Sequence, residues 1–119
     1  MTPAAPVTVT EDLLSDITSR IVDQFNPHKV ILFGSHAAGS AHAESDVDLF
    51  VIMESNETLF RRAARVRSVA QLAPVPMDII VRTPAEVEDR LRIGDSFVAD
   101  VLEKGRVLYE RGAGGRMDR

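Results

Sequence analysis

Two short apolar segments, Val30–Phe33 and Val47–Met53, lie on either side of a small, polar connection. The length and β-branched content of each segment predict a buried strand. A glycine directly follows the first strand, and two acids, Asp46 and Asp48, stand at the start of the second. The short connection limits how the two strands can pair, and an acid pair beside a buried strand requires a chemical explanation.

Helical and strand patterns alternate along the rest of the chain. The first predicted elements are a helix from Thr10 to Phe25 that stops at Asn26-Pro27, the strand Val30–Phe33, and a tight turn with room for one helical turn. The strand Val47–Met53, a helix within Glu57–Leu72 and the strand Met77–Val81 follow. The last elements are a helix that starts at the capping box Thr83–Glu86 and breaks near Gly94, a helix capped by Ser96 that stops at Gly105, and the strand Arg106–Tyr109. This order predicts an α/β domain with a small mixed β-sheet flanked by helices. The domain is expected to span residues 10–110, with flexible tails at 1–9 and 111–119.

Composition narrows the class of protein. The 119 residues are enough for one domain, and a net charge of −4 argues against a broad electrostatic surface for nucleic acid. The chain has no cysteine, which excludes disulfides and thiolate metal sites and is typical of a reducing compartment. No apolar run approaches the ~18 residues of a membrane helix, and the N-terminus lacks a secretory signal pattern. We therefore expect a soluble, cytoplasmic protein.

The acid pair predicts a metal site. Residues two apart in a strand point to the same face, so Asp46 and Asp48 project together while Val47 and Leu49 face the core. Two neighbouring carboxylates repel each other, and each raises the pKa of the other unless a cation lies between them. Hard divalent ions prefer oxygen ligands, and Mg²⁺ is commonly held by one or two carboxylates and substrate phosphates. In isolation, Asp46 is equally well explained as a solvated residue at the start of a strand.

A third acid, Asp78, lies in the apolar segment Met77–Val81. A charged residue in a buried strand is costly unless it is paired or metal-bound. If this strand neighbours the second one, Asp78 reaches the site of Asp46 and Asp48 and helps to hold a second ion, as in two-metal phosphoryl transfer. The alternative is a salt bridge from Asp78 to an arginine such as Arg82.

The turn Gly34-Ser35 is the second candidate site feature. A glycine straight after a strand permits close approach of the backbone to a ligand, and the free N–H groups of such a turn bind anions. A turn with a local serine hydrogen bond is the simpler explanation if Gly-Ser is taken alone.

Together these residues resemble the minimal nucleotidyltransferases of the DNA polymerase β superfamily. The pattern of that family is a strand, Gly-Ser, about ten residues, Asp-x-Asp, and a third carboxylate on a later strand. Here it reads Gly34-Ser35, ten residues, Asp46-Val47-Asp48, and then Asp78. The segments FGS, SDVDL and GRVLYE also resemble the small stand-alone members, and the resemblance covers roughly residues 10 to 110.

The resemblance implies a polymerase β-like palm fold and a nucleoside triphosphate substrate, usually ATP. Gly34 and Ser35 would take the β- and γ-phosphates, and Asp46, Asp48 and Asp78 would be the catalytic, metal-binding acids for two Mg²⁺ ions. Asp78 would also draw the proton from an attacking hydroxyl, and pyrophosphate would leave. Members of the family often pair with an all-helical HEPN-domain toxin and act as antitoxin by adenylylating one of its tyrosines.

The chain departs from the family pattern at the turn. Relatives often read GSRARG, whereas this chain reads GSHAAG, with His36 and Ala38 in place of arginines. Losing both arginines weakens triphosphate binding or transfers that role to a base elsewhere. His36 could supply partial charge near the phosphates, although an exposed loop histidine is expected more often. A cluster of arginines in the third helix is best explained as a solvated helix face, with contacts to phosphates or to an acidic partner as the alternative: Arg61, Arg62, Arg65 and Arg67.

The sequence is therefore compatible with three functions. The first is an active nucleotidyltransferase that moves AMP from ATP to an acceptor hydroxyl. The second is a catalytically weak or inactive binding module that neutralises a helical partner by contact, which the missing arginines favour and the intact acids oppose. The third is a small-molecule nucleotidyltransferase of the aminoglycoside type, which would need a second chain. The acceptor, the choice of nucleotide and homo-oligomerisation are left open by the sequence.

Overall fold

The computed structural model describes residues 8–39, 41, 46–72 and 74–112, within which five helices and four strands form. In chain order they are α1 (Glu11–Phe25), β1 (Lys29–Phe33), α2 (Ser35–Ala38), β2 (Val47–Ile52), α3 (Leu59–Ala70), β3 (Met77–Arg82), α4 (Pro84–Arg92), α5 (Ser96–Lys104) and β4 (Arg106–Glu110). The predicted order of elements is confirmed, and the single helical turn after the first strand is α2.

The four strands form one mixed sheet in the order β3-β2-β1-β4. Strand β1 is antiparallel to both β2 and β4, whereas β2 and β3 are parallel. The connections explain this arrangement, because a short link suits antiparallel neighbours and a parallel pair needs a longer crossover, here containing α3. The predicted small mixed sheet flanked by helices is confirmed.

Helices cover both faces of the sheet. On one face, α1 and α3 pack against a large apolar cluster; on the other, α4 and α5 pack against a smaller one. The larger cluster includes Ile17, Ile21, Leu32, Leu49, Val51, Val66 and Ile79, and the smaller one consists of Ile31, Phe50, Ile52, Val87, Val98 and Val101. The alternating side chains of β1, β2 and β3 thus divide between the two layers of core.

Local capping signals define most helix ends. The hydroxyl of Thr10 accepts a hydrogen bond from the Leu13 N–H at 3.0 Å, and Thr83 with Glu86 forms the predicted capping box. The predicted cap of α5 is wrong by one residue: the Asp95 carboxylate accepts from the Val98 N–H at 3.1 Å, and Ser96 is the first residue of the helix. Aspartate and serine are comparable caps, so local sequence does not distinguish them.

The arginine cluster of α3 is not uniformly solvated, which corrects the expectation of a solvated face. Arg62 is buried, with 5% of its surface exposed. Its guanidinium donates to the Glu86 carboxylate at 2.6 Å and to the Glu57 carbonyl at 2.8 Å. Burial would by itself raise the pKa of Glu86, but hydrogen bonds from Arg62 and the Thr83 N–H outweigh it and lower that pKa. Arg62 therefore links the start of α3 to the start of α4.

The predicted tails lie mostly outside the described residues, at 1–7 and 113–119. Within the described part, Val9 packs against the larger core cluster, and the Arg111 N–H donates to the His28 carbonyl at 2.9 Å. Among the helices of the described ranges, none has the length and apolar character needed to cross a membrane.

Candidate active site

Asp48 and Asp78 lie directly beside each other on neighbouring strands. In the parallel pairing of β2 and β3, Asp48 is the register partner of Asp78, so both side chains lie on one face of the sheet. It is the face that carries Phe50 and Ile52 and packs against α4 and α5. Val47 and Leu49 are fully buried on the opposite face, as predicted.

Asp46 precedes β2 by one residue and is exposed. Its charge acts on Asp48, as does that of Asp78. The structure therefore brings all three predicted acids to one end of the sheet. The segment 42–45, which joins the turn to Asp46, lies outside the described residues.

The carboxylate of Asp48 packs against the backbone of Gly34. Gly34 links β1 to α2 with φ 75° and ψ −155°, a conformation that is essentially restricted to glycine. A Cβ atom added at this position would lie only 2.2 Å from Asp48 Oδ2. Glycine is therefore required here both by backbone conformation and by the neighbouring carboxylate, and the predicted turn and acid pair form one site.

The ionised form of Asp48 is disfavoured in the free protein. Burial raises the pKa of Asp48, and the negative charges of Asp78 and Asp46 raise it further, while His36 on α2 lowers it. A cation among these carboxylates would relieve both the repulsion and the desolvation cost.

The acids do not converge on a single point. Within the described ranges, no three side chains of His, Cys, Asp or Glu are arranged to hold a metal ion by themselves. The available donors are carboxylate oxygens, which suit Mg²⁺, and Mg²⁺ takes only one or two of them when substrate phosphates and water complete its coordination. The donor set therefore fits Mg²⁺ bound together with a phosphate-bearing substrate.

The alternative salt bridge from Asp78 to Arg82 does not form. The Arg82 guanidinium donates to the Val81 carbonyl at 3.1 Å, and no ion pair with Asp78 exists among the described residues. Asp78 is also exposed, although Met77 and Ile79 on either side are buried. Because the side chain is exposed, the expected cost of burying a charge does not arise at this position.

A cavity of about 540 Å³ opens beside the Gly34-Ser35 turn, between α2 and the end of α5. Its walls include Phe33 and Phe97, whose rings meet edge to face with centroids 5.5 Å apart, and the side chain of Lys104. Sequence patterns did not indicate Phe97 or Lys104, since only the pairing of β4 with β1 brings the end of α5 to this turn. A second groove, between α1 and β4, contains none of the three acids.

Comparisons with known proteins identify the family of this chain. The family profile described as "Nucleotidyltransferase domain" matches residues 14–108. The chain is 31% identical over 83 residues to "Putative protein adenylyltransferase MJ0604" of Methanocaldococcus jannaschii, covering 68% of this chain and 77% of that protein. It is 26% identical over 99 residues to "Putative protein adenylyltransferase MJ0141" of the same organism, covering 83% and 94%.

Two solved structures share the fold. One is described as "a putative nucleotidyltransferase from Sulfolobus solfataricus", with a TM-score of 0.57, 22% identity, and coverage of 84% of this chain and 79% of that one. The other is described as "the toxin-antitoxin with AMP-PNP", with a TM-score of 0.51, 18% identity, and coverage of 82% and 74%. At these identities the structural likeness concerns the fold alone. The profile match over most of the chain and the archaeal relative at 31% identity show that this protein belongs to the nucleotidyltransferase domain family and is a nucleotidyltransferase enzyme.

Proposed function

We propose that this enzyme transfers a nucleoside monophosphate, AMP from ATP, to an acceptor hydroxyl in a Mg²⁺-dependent reaction. The observation that carries the proposal is the register pairing of Asp48 with Asp78, with the Gly34 turn packed directly on Asp48. This arrangement brings a phosphate-binding type of turn next to oxygen donors for a hard cation. The names of the two archaeal relatives support adenylyl transfer as the type of reaction.

Each candidate residue has a separate role in the proposal. Gly34 and Ser35 bind the β- and γ-phosphates, while Asp46, Asp48 and Asp78 hold Mg²⁺. Bound Mg²⁺ supplies neutralisation of the negative charge on the phosphate oxygens. The acceptor oxygen forms a bond to the α-phosphorus as the bond to the β-phosphate oxygen breaks, the hydroxyl proton passes to Asp78, and pyrophosphate leaves.

The electrostatics of Asp48 support this assignment. The pKa of Asp48 is raised by burial and by two like charges, so a cation bound beside this carboxylate would stabilise its ionised form. An ion-pair network that only stabilised the fold would instead lower the pKa of its acids, as the hydrogen bonds from Arg62 do for Glu86.

A protein hydroxyl is the acceptor that we propose, specifically a tyrosine of a helical HEPN-type partner for which this enzyme is the antitoxin. Two findings support a protein acceptor in a toxin–antitoxin pair: both archaeal relatives are named as putative protein adenylyltransferases, and one structural neighbour is described as a toxin-antitoxin with AMP-PNP. The tyrosine and the HEPN-type partner are taken from the family resemblance. We further propose that the reaction takes place in the cytoplasm, where ATP and Mg²⁺ are available.

A second candidate function is neutralisation of a partner by contact, without transfer. The absence of arginine from the GSHAAG turn favours it. In that case the acids would be unnecessary for neutralisation.

Transfer of label from α-³²P-ATP in the presence of Mg²⁺ and a helical HEPN-type protein tests the proposal. Asp46→Asn and Asp48→Asn each remove a negative charge with little change of volume, and we expect each to reduce transfer by at least about 100-fold. The matched control is Asp16→Asn, which alters an exposed acid of α1 outside the site and is expected to leave transfer unchanged.

Near-full transfer by either site variant would refute the metal assignment. If wild-type protein transfers no label, and Asp48→Asn still neutralises the partner, the contact-only function is correct instead.

A further inference from the structure

The candidate site residues lie at one end of the strands, and they follow the order of the strands across the sheet. Asp78 lies on β3, Asp48 on β2, and Gly34-Ser35 follows β1. The next strand in the sheet is β4, which runs antiparallel to β1 and is immediately preceded by Lys104-Gly105. At this end of the sheet, Lys104 therefore lies next to the Gly34-Ser35 turn.

Packing holds the end of α5 tightly against the end of β1. A Cβ atom added at Gly105 would lie 2.5 Å from Ile31 Cγ2 and 3.2 Å from the Leu32 carbonyl oxygen. Lys104 and Ser35 both line the cavity of about 540 Å³ beside the turn. Of the described residues that line this cavity, Lys104 is the one with a cationic side chain. It reaches the turn from the side opposite to the three acids.

A triphosphate bound at this end of the sheet carries negative charge that the three acids cannot neutralise. The turn sequence GSHAAG contains no arginine, and Asp46, Asp48 and Asp78 add negative charge of their own. In the proposed function the α-phosphorus lies at the acids and the β- and γ-phosphates lie at the turn. The γ-phosphate is then the group nearest to the end of α5, where Lys104 lies.

We propose that Lys104 binds the terminal phosphate of the nucleotide and supplies the positive charge that the Gly-Ser turn lacks. This inference rests on the proposed function, since it takes the direction of the triphosphate from it. Lys104 is a binding residue in this scheme, because the chemistry takes place at the α-phosphorus.

The present partner of Lys104 is easily exchanged. Its Nζ atom lies 3.7 Å from Asp100 Oδ1, one helical turn earlier, and both side chains are largely exposed. Exposed pairs of this kind contribute little, so a phosphate can replace the carboxylate at small cost. Asp100 also lines the cavity and repels an incoming anion. Its removal should therefore have the opposite effect from removal of Lys104.

Equilibrium binding of ATP and AMP to Lys104→Gln, Lys104→Arg and Asp100→Asn, with Mg²⁺ present, tests the inference. Loss of one charge-assisted hydrogen bond should weaken ATP binding about 10-fold in Lys104→Gln, whereas AMP binding should be unchanged because AMP lacks the terminal phosphate. Lys104→Arg should retain ATP affinity within about 3-fold, and Asp100→Asn should tighten it a few-fold. A merely structural role for Lys104 would weaken ATP and AMP binding equally.

The chain contains only two lysines, Lys29 and Lys104, which provides an internal control. Lys29 begins β1, at the far end of that strand from the turn, and pairs with Glu110. Acetylation of wild-type protein by an N-hydroxysuccinimide ester, read by peptide mass spectrometry, should show Lys104 protected several-fold by ATP with Mg²⁺ and not by AMP. Labelling of Lys29 should be the same in all samples, and Lys29→Gln should bind ATP like wild-type protein.

The outcomes separate this inference from the proposed function. If wild-type protein binds ATP and transfers AMP, but Lys104→Gln binds ATP equally well, the inference is wrong and the proposed function stands. Equal loss of ATP and AMP binding in Lys104→Gln also overturns it. If wild-type protein binds no nucleotide, both fail together.

Discussion

Replacement of Gly34 by alanine tests the contact between the turn and Asp48 directly. The new Cβ atom would lie 2.2 Å from Asp48 Oδ2 and 3.1 Å from its Cγ, and φ is 75° at this position. The carboxylate is the end of a side chain, whereas Gly34 is held between β1 and α2, so the carboxylate is the group that moves. It must retreat by about 1.2 Å to restore a 3.4 Å contact.

Two magnitudes follow from this geometry. A residue other than glycine in this backbone conformation costs about 1–3 kcal/mol of stability. A displacement of about 1 Å in a group that positions substrate can reduce the rate about 100-fold. We therefore expect Gly34→Ala to lower the rate of AMP transfer by about 100-fold while the protein remains folded.

Gly94→Ala is the matched control. Gly94 lies between α4 and α5 with φ 81°, and an added Cβ atom would meet nothing within 4 Å. This variant should lose about 1–2 kcal/mol of stability through backbone conformation alone and should keep the wild-type transfer rate. Thermal unfolding of both variants and transfer rates measured well below both midpoints separate destabilisation from displacement of Asp48.

A double-mutant cycle isolates the clash itself. In an Asp48→Ala background the carboxylate is absent, so Gly34→Ala should cost less stability than it does in wild-type protein. If the two costs are equal, or if Gly34→Ala transfers AMP as fast as Gly94→Ala, the packing of Asp48 on the turn does not govern the site.

Two further predictions concern stability and pH. The folded-state pKa of Asp48 is raised, so ionisation of Asp48 costs stability above that pKa and costs nothing below the unfolded value of about 3.9. Asp48→Asn should therefore raise the midpoint of thermal unfolding near pH 7 by a few degrees. If the stability advantage of Asp48→Asn over wild-type protein grew on acidification, this reasoning would be contradicted. Arg62→Met should cost about 2–3 kcal/mol in urea unfolding at pH 7, because it leaves Glu86 without its guanidinium partner. The pKa of Glu86 is lowered, so the part of this cost that comes from the ion pair should be fully present above the unfolded value of about 4.3 and be lost as pH falls through the folded pKa. The part that comes from the lost hydrogen bond to the Glu57 carbonyl should remain, and a total cost independent of pH would refute the contribution of the ion pair.

Features that depend on neighbouring residues in the chain could be predicted from the sequence. The capping box at Thr83 and Glu86, the helix end at Asn26, and the alternation of Asp48 with buried Val47 and Leu49 are all local, and all three agree with the structure. Gly34 could be recognised as a turn residue, because it directly follows an apolar strand. Its contact with Asp48 depends on the pairing of β1 with β2, which the short connection suggested without giving the register.

Features that depend on sheet order could not be predicted. Arg62 sits on a helix face that looks solvated by sequence, and only folding brings Glu86, 24 residues later, against it. Asp78 is exposed although Met77 and Ile79 on either side are buried, and a local run of apolar residues does not show which side chains the packed helices leave uncovered. Lys104 reaches the turn because β4 pairs with β1, two strands separated by most of the chain.

The main chain sets the distance between the Cα atoms of the two candidate catalytic residues Asp48 and Asp78. The two residues are register partners on adjacent strands, so their Cα atoms are held at the inter-strand spacing of about 4.8 Å by the main-chain hydrogen bonds of β2 and β3. No side chain has to be positioned to maintain it. Insertions and substitutions in the surrounding loops can therefore alter which acceptor is admitted without changing the separation of the two acids, and that separation is lost only when the strands themselves come apart.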